Sequence, residues 1–455
     1  NSLKATYTDH GLFVGRYDTI LLHYYLTGIR DPGDEAIGHL THRIRHLATP
    51  WVARLWEALS TRFGEARADR LTDTYGRAFP ESWTRNTDVE RAVSDIEQLE
   101  SLGESNVSAS LFRDRDEQLV LRIYQAEDLV LSQILPVLDH FGLTIVDSYA
   151  TTVRSRGGTL HIDTFTIDET GFEEGVLLDR AELLCEALKA VFARTITDSR
   201  LNGLVTRAGL TWKEVDIVRS YCSYSRQLEV KLSPLRLTSI LLENPVMTST
   251  MVELFHARFD PDRKGDRAKA IAHADEQVTD ELRYILAHDE DLAFSTLVGL
   301  VRATLRTNFY RTDRKSWYLS FKFDCSKIRE LGEGRPMYEI FVQSRDVHGV
   351  HLRFGPVARG GLRWSDRDDY RTEVLGLATT QQVKNVVIVP TGSKGGFQLK
   401  HPEKDPKARR AQADELYKTF IRGLLDVTDN NVDGETVHPP RVVPMDGKDP
   451  YLVVA

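Results

Sequence analysis

Hydrophobic and polar positions repeat with two different periods along this chain, and the changes of period divide it into segments. Residues 1–28 contain one strand-like run, DTILLHYYL, which we interpret as the end of an α/β unit. From about 35 to 105, apolar residues recur at helical spacing with charged residues between them, so a helical segment is predicted. The residues that carry this pattern are Leu40, Ile44, Leu47, Leu55, Leu59 and Phe63.

Residues 116–167 are predicted to fold as strand, helix, strand and strand. QLVLRIY alternates, DLVLSQILPVLDHFG has helical spacing up to Gly142, and two more alternating runs flank an SRGG turn. This order is typical of a small α+β module that binds a ligand or serves as a scaffold. His161 and Asp163 lie two apart on one strand, but no third ligand is near, so we interpret them as surface or packing residues. The predicted apolar face of the helix consists of Leu131, Ile134, Leu135 and Leu138.

Residues 179–310 again have helical periodicity. Thr211 and Glu214 have the spacing of a capping box, and Ser233-Pro234 and Asn244-Pro245 each resemble an N-cap followed by proline. Asp260-Pro261 ends this set of helices. The charged stretch DPDRKGDRAKAIAHADEQ is predicted to be a solvated loop and the start of a helix, rather than a specific anion site.

From residue 316 the period changes to two. WYLSFKFD, MYEIFVQS and GVHLRFG are predicted to be strands of one sheet. The stretch 359–396, RGGLRWSDRDDYRTEVLGLATTQQVKNVVIVPTGSKGG, is then predicted to be a loop, a helix, a strand and a loop. Ser365 or Asp366 would cap the helix, which continues to about Lys384, NVVIVP would be the strand, and Lys394 would lie on the last loop. The helical face consists of Tyr370, Val374, Leu377, Ala378 and Gln381.

Candidate chemistry is concentrated in that stretch, because bare backbone lies beside fixed cations at both ends of the helix. Gly360 and Gly361 let a ligand approach backbone N–H groups, and Arg359 and Arg363 can pair with carboxylates through a planar fork.

Lys384 adds a point charge. Three or four cations around one small site suit a substrate with two negative charges. Like charges around Lys394 favour its neutral amine, which is the form that acts as a general base. Together these residues predict an anion site with a tuned lysine.

Each of these features also has an ordinary explanation. A Gly-Gly pair alone usually marks a turn, and an arginine at a helix start is usually solvated. TGSKGG superficially resembles a phosphate loop, but G-x-x-x-x-G-K-[ST] is absent, so we discount a nucleoside triphosphate site. The ordered set within one short stretch favours a functional site.

Composition narrows the class of protein. The chain has 455 residues, 28% charged residues and a formal net charge of −8, so it is predicted to form several globular domains, with nucleic acid an improbable partner. No apolar run reaches the length of a membrane span, and the first residues are polar, so we expect no membrane association. The cysteines, Cys185, Cys222 and Cys325, lie far apart, which argues against a metal site and a disulfide framework and fits the cytoplasm.

The two ends of the chain suggest an internal fragment of a longer protein. It begins at Asn1 rather than at methionine, and it stops at YLVVA, an apolar run with no turn or tail after it. The alternative is a natural C-terminal strand.

The chain resembles glutamate dehydrogenases in one ordered pattern. R-G-G-x-R is followed by a helix, and the helix by K-N, a run of apolar residues and P-x-G-x-K-G-G. HLRFGPVARGGLRWSDR, EVLGL and QQVKN resemble the large-subunit, bacterial NAD-dependent class in particular, and AGLTWKEVDIVRSY, MVELFHARFDP, LYKTFIRGLLDVTDN and DPYLVVA extend the resemblance over nearly the whole chain. Residues 116–167 are similar to one of that class's ACT-type regulatory domains.

The resemblance implies roles for single residues. Gly360 and Gly361 would bring backbone to the substrate, Lys384 would bind a substrate carboxylate, and Lys394 would be the catalytic lysine that activates water. The small glutamate dehydrogenases carry lysine where this chain has Arg359, and their spacing between the two lysines is longer, so the carboxylate contact can differ. Arg363 completes the substrate-binding set.

Two parts of such an enzyme are expected outside the chain. The family's catalytic aspartate should follow shortly after Ala455, and the Rossmann domain that binds NAD should follow later, since no G-x-G-x-x-G after a strand occurs here.

The predicted fold class is therefore multidomain α/β and α+β, with an ACT-like module, a helical linker domain and the first part of a dehydrogenase catalytic domain. The predicted boundaries are 1–28 for the end of an α/β (ACT-like) unit, 29–107 helical, 108–178 ACT-like, 179–315 helical and 316–455 catalytic.

The implied function is NAD-dependent oxidative deamination of L-glutamate to 2-oxoglutarate and ammonium by the full-length protein, a homo-oligomer and by resemblance a homotetramer, with this part alone inactive. The alternative is a regulatory module that senses an amino acid or another regulator, or holds subunits together, without chemistry of its own.

Overall fold

The structure is a computed structural model. It describes residues 6–14, 20–27, 37–39, 41, 49–102, 106–127, 129–228, 230–384 and 392–454, with only the backbone for 6–9, 11–14, 20–27, 381–384 and 453–454. Backbone contacts divide the chain into two compact units. Unit 1 consists of Asn1–Glu100 with Thr151–Leu160, and unit 2 of Ser101–Ala150 with His161–Ala455.

Unit 1 contains an antiparallel hairpin and a set of helices. Leu55 and Leu59 are fully buried, which confirms the predicted helical face there, whereas Leu40, Ile44 and Leu47 lie outside the described residues. The first strand of the hairpin was not predicted, because polar residues interrupt its alternation. The elements are β1 (Thr6–Val14), β2 (Ile20–Thr27), α1 (Trp51–Phe63), α2 (Glu65–Tyr75), α3 (Glu81–Asn86) and α4 (Val89–Glu100).

The α+β module is a four-stranded antiparallel sheet with one helix between its second and third strands. The predicted order of strand, helix, strand, strand is confirmed, and β3 precedes it as an additional edge strand, in the order β3-β4-β6-β5. The predicted helical face was partly wrong, since Leu131 is 46% exposed and Val137 is buried instead. The elements are β3 (Val107–Arg113), β4 (Leu119–Gln125), α5 (Leu131–His140), β5 (Thr144–Ser155) and β6 (Gly158–Asp168).

The next segment of unit 2 is helical, as predicted. Its largest buried residues include Tyr221, Tyr224, Phe255 and Phe294, which pack with the apolar side chains of the following sheet in one core. The elements are α6 (Val176–Asp179), α7 (Ala181–Phe192), α8 (Gly203–Ala208), α9 (Trp212–Ser225), α10 (Pro234–Glu243), α11 (Pro245–Phe259), α12 (Arg267–Arg283) and α13 (His288–Ala303).

Most of the predicted caps of these helices are confirmed. Thr211 and Glu214 form a reciprocal capping box at the start of α9, and Ser233 Oγ accepts from the N–H of Arg236 at 3.2 Å. Asn244 occupies the predicted N-cap position of α11, with Pro245 after it, but its side chain does not cap that helix, because Nδ2 donates to the carbonyl of Ile240 in the preceding helix. With only one residue between α10 and α11, that side chain ends one helix instead of starting the next.

A six-stranded sheet follows, in the order β12-β13-β10-β9-β8-β7. All neighbours are antiparallel except β12 and β13, which are parallel. The strands predicted from WYLSFKFD, MYEIFVQS and GVHLRFG are β8, β9 and β10. The elements are β7 (Thr304–Thr307), β8 (Leu319–Asp324), β9 (Tyr338–Gln343), β10 (Val347–Arg353), β11 (Arg359–Gly360), β12 (Leu362–Trp364), α14 (Tyr370–Lys384), β13 (Ser393–Leu399), α15 (Pro406–Leu425), β14 (Asn430–Val432), β15 (Glu435–Val437) and β16 (Val453–Val454).

Helices cover both faces of this sheet. Val350 and Leu352 belong to the same core as Tyr370 and Val374 of α14, while Phe397 packs on the other face with residues of α15. The sheet is therefore the middle layer of unit 2, and strand β13 lies between α14 and α15.

Helix α14 begins three or four residues later than predicted. Ser365 and Asp366 precede its first residue, Tyr370, by too much to cap it, and Ser365 Oγ instead donates to Glu373 Oε2 at 2.6 Å. Tyr370, Val374 and Ala378 are buried as predicted, whereas Leu377 is 38% exposed. Gln381 lies among the side chains that the structure does not describe.

Candidate active site

The two glycine-containing segments at the ends of stretch 359–396 lie side by side. Strand β12 runs parallel to β13, with Leu362 opposite Gly395, and the N–H of Gly395 donates to the carbonyl of Gly361 at 3.1 Å. Arg359 forms an isolated bridge with Gly392. The structure thus brings together the predicted site residues at 359–363 and 394, although Arg359 and Lys394 are 35 positions apart in the sequence.

Packing explains two of the glycines in these segments. A Cβ atom on Gly360 would overlap the backbone of Ser393, and one on Gly396 would overlap the side chain of Val374 in α14. Both positions therefore require glycine for close approach of chain segments, independently of any ligand. The role predicted for Gly360 and Gly361 in approaching a substrate stays a prediction.

Lys394 does not lie on a loop, so that prediction was wrong. It is the second residue of strand β13, opposite Leu352 of β10, and it is half-buried. Alternation along the strand places it on the same face as Gly396, which contacts α14. The glycine pair was predicted to lie on the same loop, but the neighbouring strands β10 and β12 on the two sides of β13 keep it extended. Among the described residues, none forms an ion pair with Lys394.

The two arginines of the site have different surroundings. Arg363 Nη2 lies 2.9 Å from Glu373 Oε1, and the other oxygen of Glu373 accepts from Ser365. Arg359 is exposed and has no carboxylate partner in the part of the chain that the structure describes. A substrate carboxylate would therefore compete with Glu373 for Arg363 but meet no such competitor at Arg359.

Lys384 is the last residue of α14, and its side chain lies outside the described residues. Residues 385–391, which contain the whole of the predicted strand NVVIVP and the first residue after it, also lie outside the described residues. The position of Lys384 relative to Lys394 is therefore left as a prediction.

A buried ion network lies behind the site, and sequence reasoning missed it. Arg306 of β7 contacts Asp429 and Asp446 at 2.6 Å each, and both arginine and Asp429 side chains are completely buried. Lys322 of β8 contacts Asp446 and Asp449 at 2.5 Å each.

Arg353 of β10 completes the network. Its Nη2 lies 2.6 Å from Asp449, and its Nη1 donates to the carbonyl of Tyr451 at 2.7 Å. Burial by itself would raise the pKa of Asp429, but hydrogen bonds from Arg306, from the N–H of Asp449 and from His438 lower it to about 2.

This network attaches the segment that contains Asp446 and Asp449 to three strands of the sheet. From there the chain reaches β16, which pairs in parallel with β11, so that Arg359 lies opposite Val453 and Gly360 opposite Val454. The sequence signal that could have found the network is a cation at an inward position on each of three strands, combined with the aspartates of MDGKDPY.

A second buried group holds the start of helix α14. Arg371 Nε donates to Glu339 Oε2 at 3.0 Å, and the hydroxyl of Tyr224 donates to the same oxygen at 2.6 Å. This arrangement joins α9, β9 and α14. Glu339 is completely buried, and these two donors supply hydrogen bonds to its carboxylate.

The described residues contain no group of three or more acidic, histidine or cysteine side chains arranged to hold a metal ion. Asp163 accepts from Gln125 Nε2. No described helix combines the length and apolar character that crossing a membrane requires.

Four family models match successive parts of the chain. In chain order, the models are helical motif 2 of glutamate dehydrogenase at 58–102, its ACT3 domain at 106–179 and its helical motif 3 at 196–261. The catalytic domain of bacterial NAD-glutamate dehydrogenase follows at 277–455.

Curated relatives are similar over most or all of the chain. An NAD-specific glutamate dehydrogenase of Halomonas elongata is 36% identical over 100% of the chain and 29% of the relative. A protein of the same name from Mycobacterium tuberculosis is 39% identical over 90% of the chain and 26% of the relative. Another, from Pseudomonas aeruginosa, is 37% identical over 86% of the chain and 25% of the relative. The chain thus spans less than a third of the length of these relatives. Over the regions that the four models match, it belongs to the bacterial NAD-glutamate dehydrogenase family.

Proposed function

We propose that the protein containing this chain oxidises L-glutamate with NAD⁺ and water to 2-oxoglutarate, ammonium, NADH and a proton. The observation that carries this proposal is the pairing of β12 with β13 and the bridge between Arg359 and Gly392, which bring Arg359, Arg363 and Lys394 together beside bare backbone. Relatives that match most of the chain are named NAD-specific glutamate dehydrogenase, which supports the same substrate and cofactor.

Glutamate carries two carboxylates, and the cations of the site suit them. Arg359 is exposed, and Arg363 can exchange Glu373 for a substrate carboxylate. Lys384 at the end of α14 is proposed to bind the second carboxylate. We assign these residues to substrate binding together with Gly360 and Gly361.

Lys394 is proposed to be the catalytic lysine. Its amine would take a proton from the water that adds to the iminium carbon after oxidation, and as an ammonium group it would stabilise the oxygen that forms there. NAD⁺, at a site that we place outside these 455 residues, would supply the acceptor for the hydride of the α-carbon. We place the aspartate that carries a proton to the substrate nitrogen after β16, because β16 pairs with β11 and so directs the following chain toward the glycine pair.

The alternative is a regulatory or assembly module without chemistry of its own. The ACT3 match at 106–179 and the helical motifs favour it for those parts of the chain. The two functions are compatible in one protein, since the catalytic match lies in a different region. We further propose that the protein acts in the cytoplasm as a homo-oligomer. The three cysteines, all buried and unpaired, fit a reducing compartment.

Glutamate-dependent formation of NADH by the complete protein tests this proposal. We expect absorbance at the NADH band to rise only when glutamate and NAD⁺ are both present, and aspartate in place of glutamate serves as the control substrate. No NADH from glutamate, with a folded oligomer present, would contradict the enzymatic function and leave the regulatory alternative.

A further inference from the structure

A second polar cleft lies in unit 2, away from the proposed glutamate site. Its volume is about 770 Å³, within the range of roughly 300–1,000 Å³ that is typical of small-molecule sites. The first turn of α9, the segment 309–317 between β7 and β8, and the turn 344–346 between β9 and β10 form its walls. The cleft thus lies where the helical segment 179–315 meets the six-stranded sheet.

The two sites are at opposite ends of strand β13. Lys394 is near its first residue, whereas Leu399 is its last, and at about 3.3 Å per residue these two are about 16 Å apart. The N–H of Lys400 donates to the carbonyl of Asp346, which lines the cleft. A ligand in the cleft would therefore not occupy the glutamate site.

The lining of the cleft is strongly cationic. It contains seven lysine and arginine side chains and a single acidic one, Asp346. Three of the cations have carboxylate partners: Arg311 with Asp313 and Asp426, Arg345 with Asp346, and Arg441 with Asp262.

The other four cations have no carboxylate partner among the described residues. They are Arg194, Lys213, Arg314 and Lys315, and three of these are exposed. Four positive charges without an ion-pair partner around one small cavity raise each other's free energy, and a bound anion relieves this.

Arg314 is the most informative of the four, because its guanidinium is partly buried. It donates to the backbone carbonyls of Arg311, at 3.3 Å, and of Tyr318, and it lies 5.1 Å from the ring centroid of Trp317. Burial lowers its pKa, since desolvation disfavours the charged form, while the charge of Asp426 acts in the opposite direction. A partly buried cation whose hydrogen bonds go to backbone carbonyls is stabilised further by an anion in the adjacent space.

Aromatic rings form a rigid wall beside these charges. Trp212 and Trp317 meet edge to face with centroids 4.9 Å apart, and Lys213 Nζ lies 5.4 Å and 5.7 Å from the two ring centroids. Trp317 Nε1 also donates to Asp216 at 2.7 Å, which fixes its orientation. The cations are therefore positioned by structure that exists without a ligand.

We propose that this cleft binds a small multivalent anion that carries phosphate or carboxylate groups. Its volume is that of a small-molecule site rather than of a macromolecular interface, and its four cations without an ion-pair partner suit two or more negative charges. Such a ligand would connect α9 to the β7–β8 and β9–β10 turns, and so stabilise the packing of the helical segment on the catalytic sheet.

Titration of the full chain with inorganic pyrophosphate and, separately, with citrate tests the proposal without relying on enzymatic activity. Trp212 and Trp317 serve as fluorescent reporters because they line the cleft. We expect a saturable change in tryptophan fluorescence with at least one of the two anions. Tighter binding of pyrophosphate would indicate a phosphate-bearing ligand, and tighter binding of citrate a carboxylate-bearing one.

The variant K213A/K315A removes two of these four cations and should bind at least about tenfold more weakly, since each charge-assisted contact contributes at least that factor. The control K327A/K404A removes two exposed lysines elsewhere and should bind like the unmodified chain. The proposal is overturned if neither anion gives a saturable signal up to about 10 mM. It is also overturned if the two double variants bind equally well.

Discussion

Three cations belong to the proposed glutamate site within the described residues, and the structure surrounds each of them differently. Lys394 is half-buried in a strand, Arg363 is held by Glu373, and Arg359 is exposed. A catalytic amine needs a fixed position and limited access to water, whereas a carboxylate ligand needs to be accessible. These surroundings match the roles proposed for Lys394 and Arg359.

Lys394→Ala in the complete protein should lower kcat by roughly 10²–10⁴-fold while the fold survives, because a general base and a stabilising charge are lost together. Lys394→Arg is the matched variant, since it keeps the positive charge but cannot take up a proton. It should be about as inactive as the alanine variant. Steady-state kinetics and a circular dichroism spectrum check this, and a variant that keeps more than about a third of kcat would refute the assignment.

Lys384→Met should raise the KM for glutamate by roughly 10- to 100-fold and change kcat less, because a held carboxylate is bound in the ground state and the transition state alike. Lys384 is also the last residue of α14, where the helix dipole favours a positive charge. That structural role would lower the melting temperature and leave KM unchanged. Measuring both quantities for this variant separates the two explanations, and Arg359→Met is expected to behave as a substrate-binding variant too.

At the scale of elements, strand β10 contains two histidines with lowered pKa values, the half-buried His348 and the buried His351. Burial lowers the pKa of His348 and of His351 to about 4 each, and nearby cations contribute to both shifts. Since an unfolded histidine titrates near about 6.5, the stabilisation is complete above that pH and is lost as the pH falls toward 4.

His351→Leu should therefore remove part of the pH dependence of stability. Between pH 7 and pH 5 the unmodified protein should lose about 2 kcal/mol of unfolding free energy through this residue, and the variant should lose correspondingly less. Urea unfolding at the two pH values measures the difference. His288→Gln, at an exposed position in the first turn of α13, is the control and should keep the full dependence. Equal slopes for His351→Leu and the unmodified protein would be evidence against a neutral buried His351.

The ion network that joins β7, β8 and β10 to the segment before β16 is the other element-scale feature. Arg306→Met leaves Asp429 and Asp446 short of a buried partner and should cost about 3–5 kcal/mol of stability. Arg302→Met breaks a half-exposed pair with Asp275 and should cost about 0–1 kcal/mol. The urea midpoints of the two variants measure these costs. Similar shifts would mean that the buried ion pairs contribute no more to stability than the half-exposed pair.

At the scale of the whole molecule, two compact units contain matches to four parts of one enzyme family. The proposed substrate site and the anion cleft both lie in unit 2. The ion network attaches the segment before β16 to the sheet, and β16 pairs with β11 beside the first glycine pair. The proposed substrate site of unit 2 therefore consists of segments that are distant in the sequence.

The 455-residue chain by itself is expected neither to oxidise glutamate nor to bind NAD⁺ specifically, because its sequence has no dinucleotide-binding fingerprint after a strand. Calorimetric titration with NAD⁺ checks this, with the complete protein as the positive control. A saturable site of low-micromolar affinity on the chain alone would show that the prediction is wrong.

Local patterns in the sequence were sufficient for most elements. The helical segments, the capping box at Thr211, the strands β8 to β10 and the turn between β5 and β6 depend on periodicity and on contacts between near neighbours. The candidate residues Arg359, Gly360, Gly361, Arg363, Lys384 and Lys394 also followed from one short stretch and its resemblance to a family.

Tertiary structure alone decided the features that join distant residues. Lys394 lies in a strand because β10 and β12 both pair with β13, and a glycine pair carries no local sign of such neighbours. The network of Arg306, Lys322 and Arg353 needs aspartates about 100 residues or more away, and the anion cleft needs α9 beside two turns of the sheet. The periodicity of a segment indicates which side of a helix or strand is buried. Which other element packs against that side depends on the tertiary structure of the whole chain.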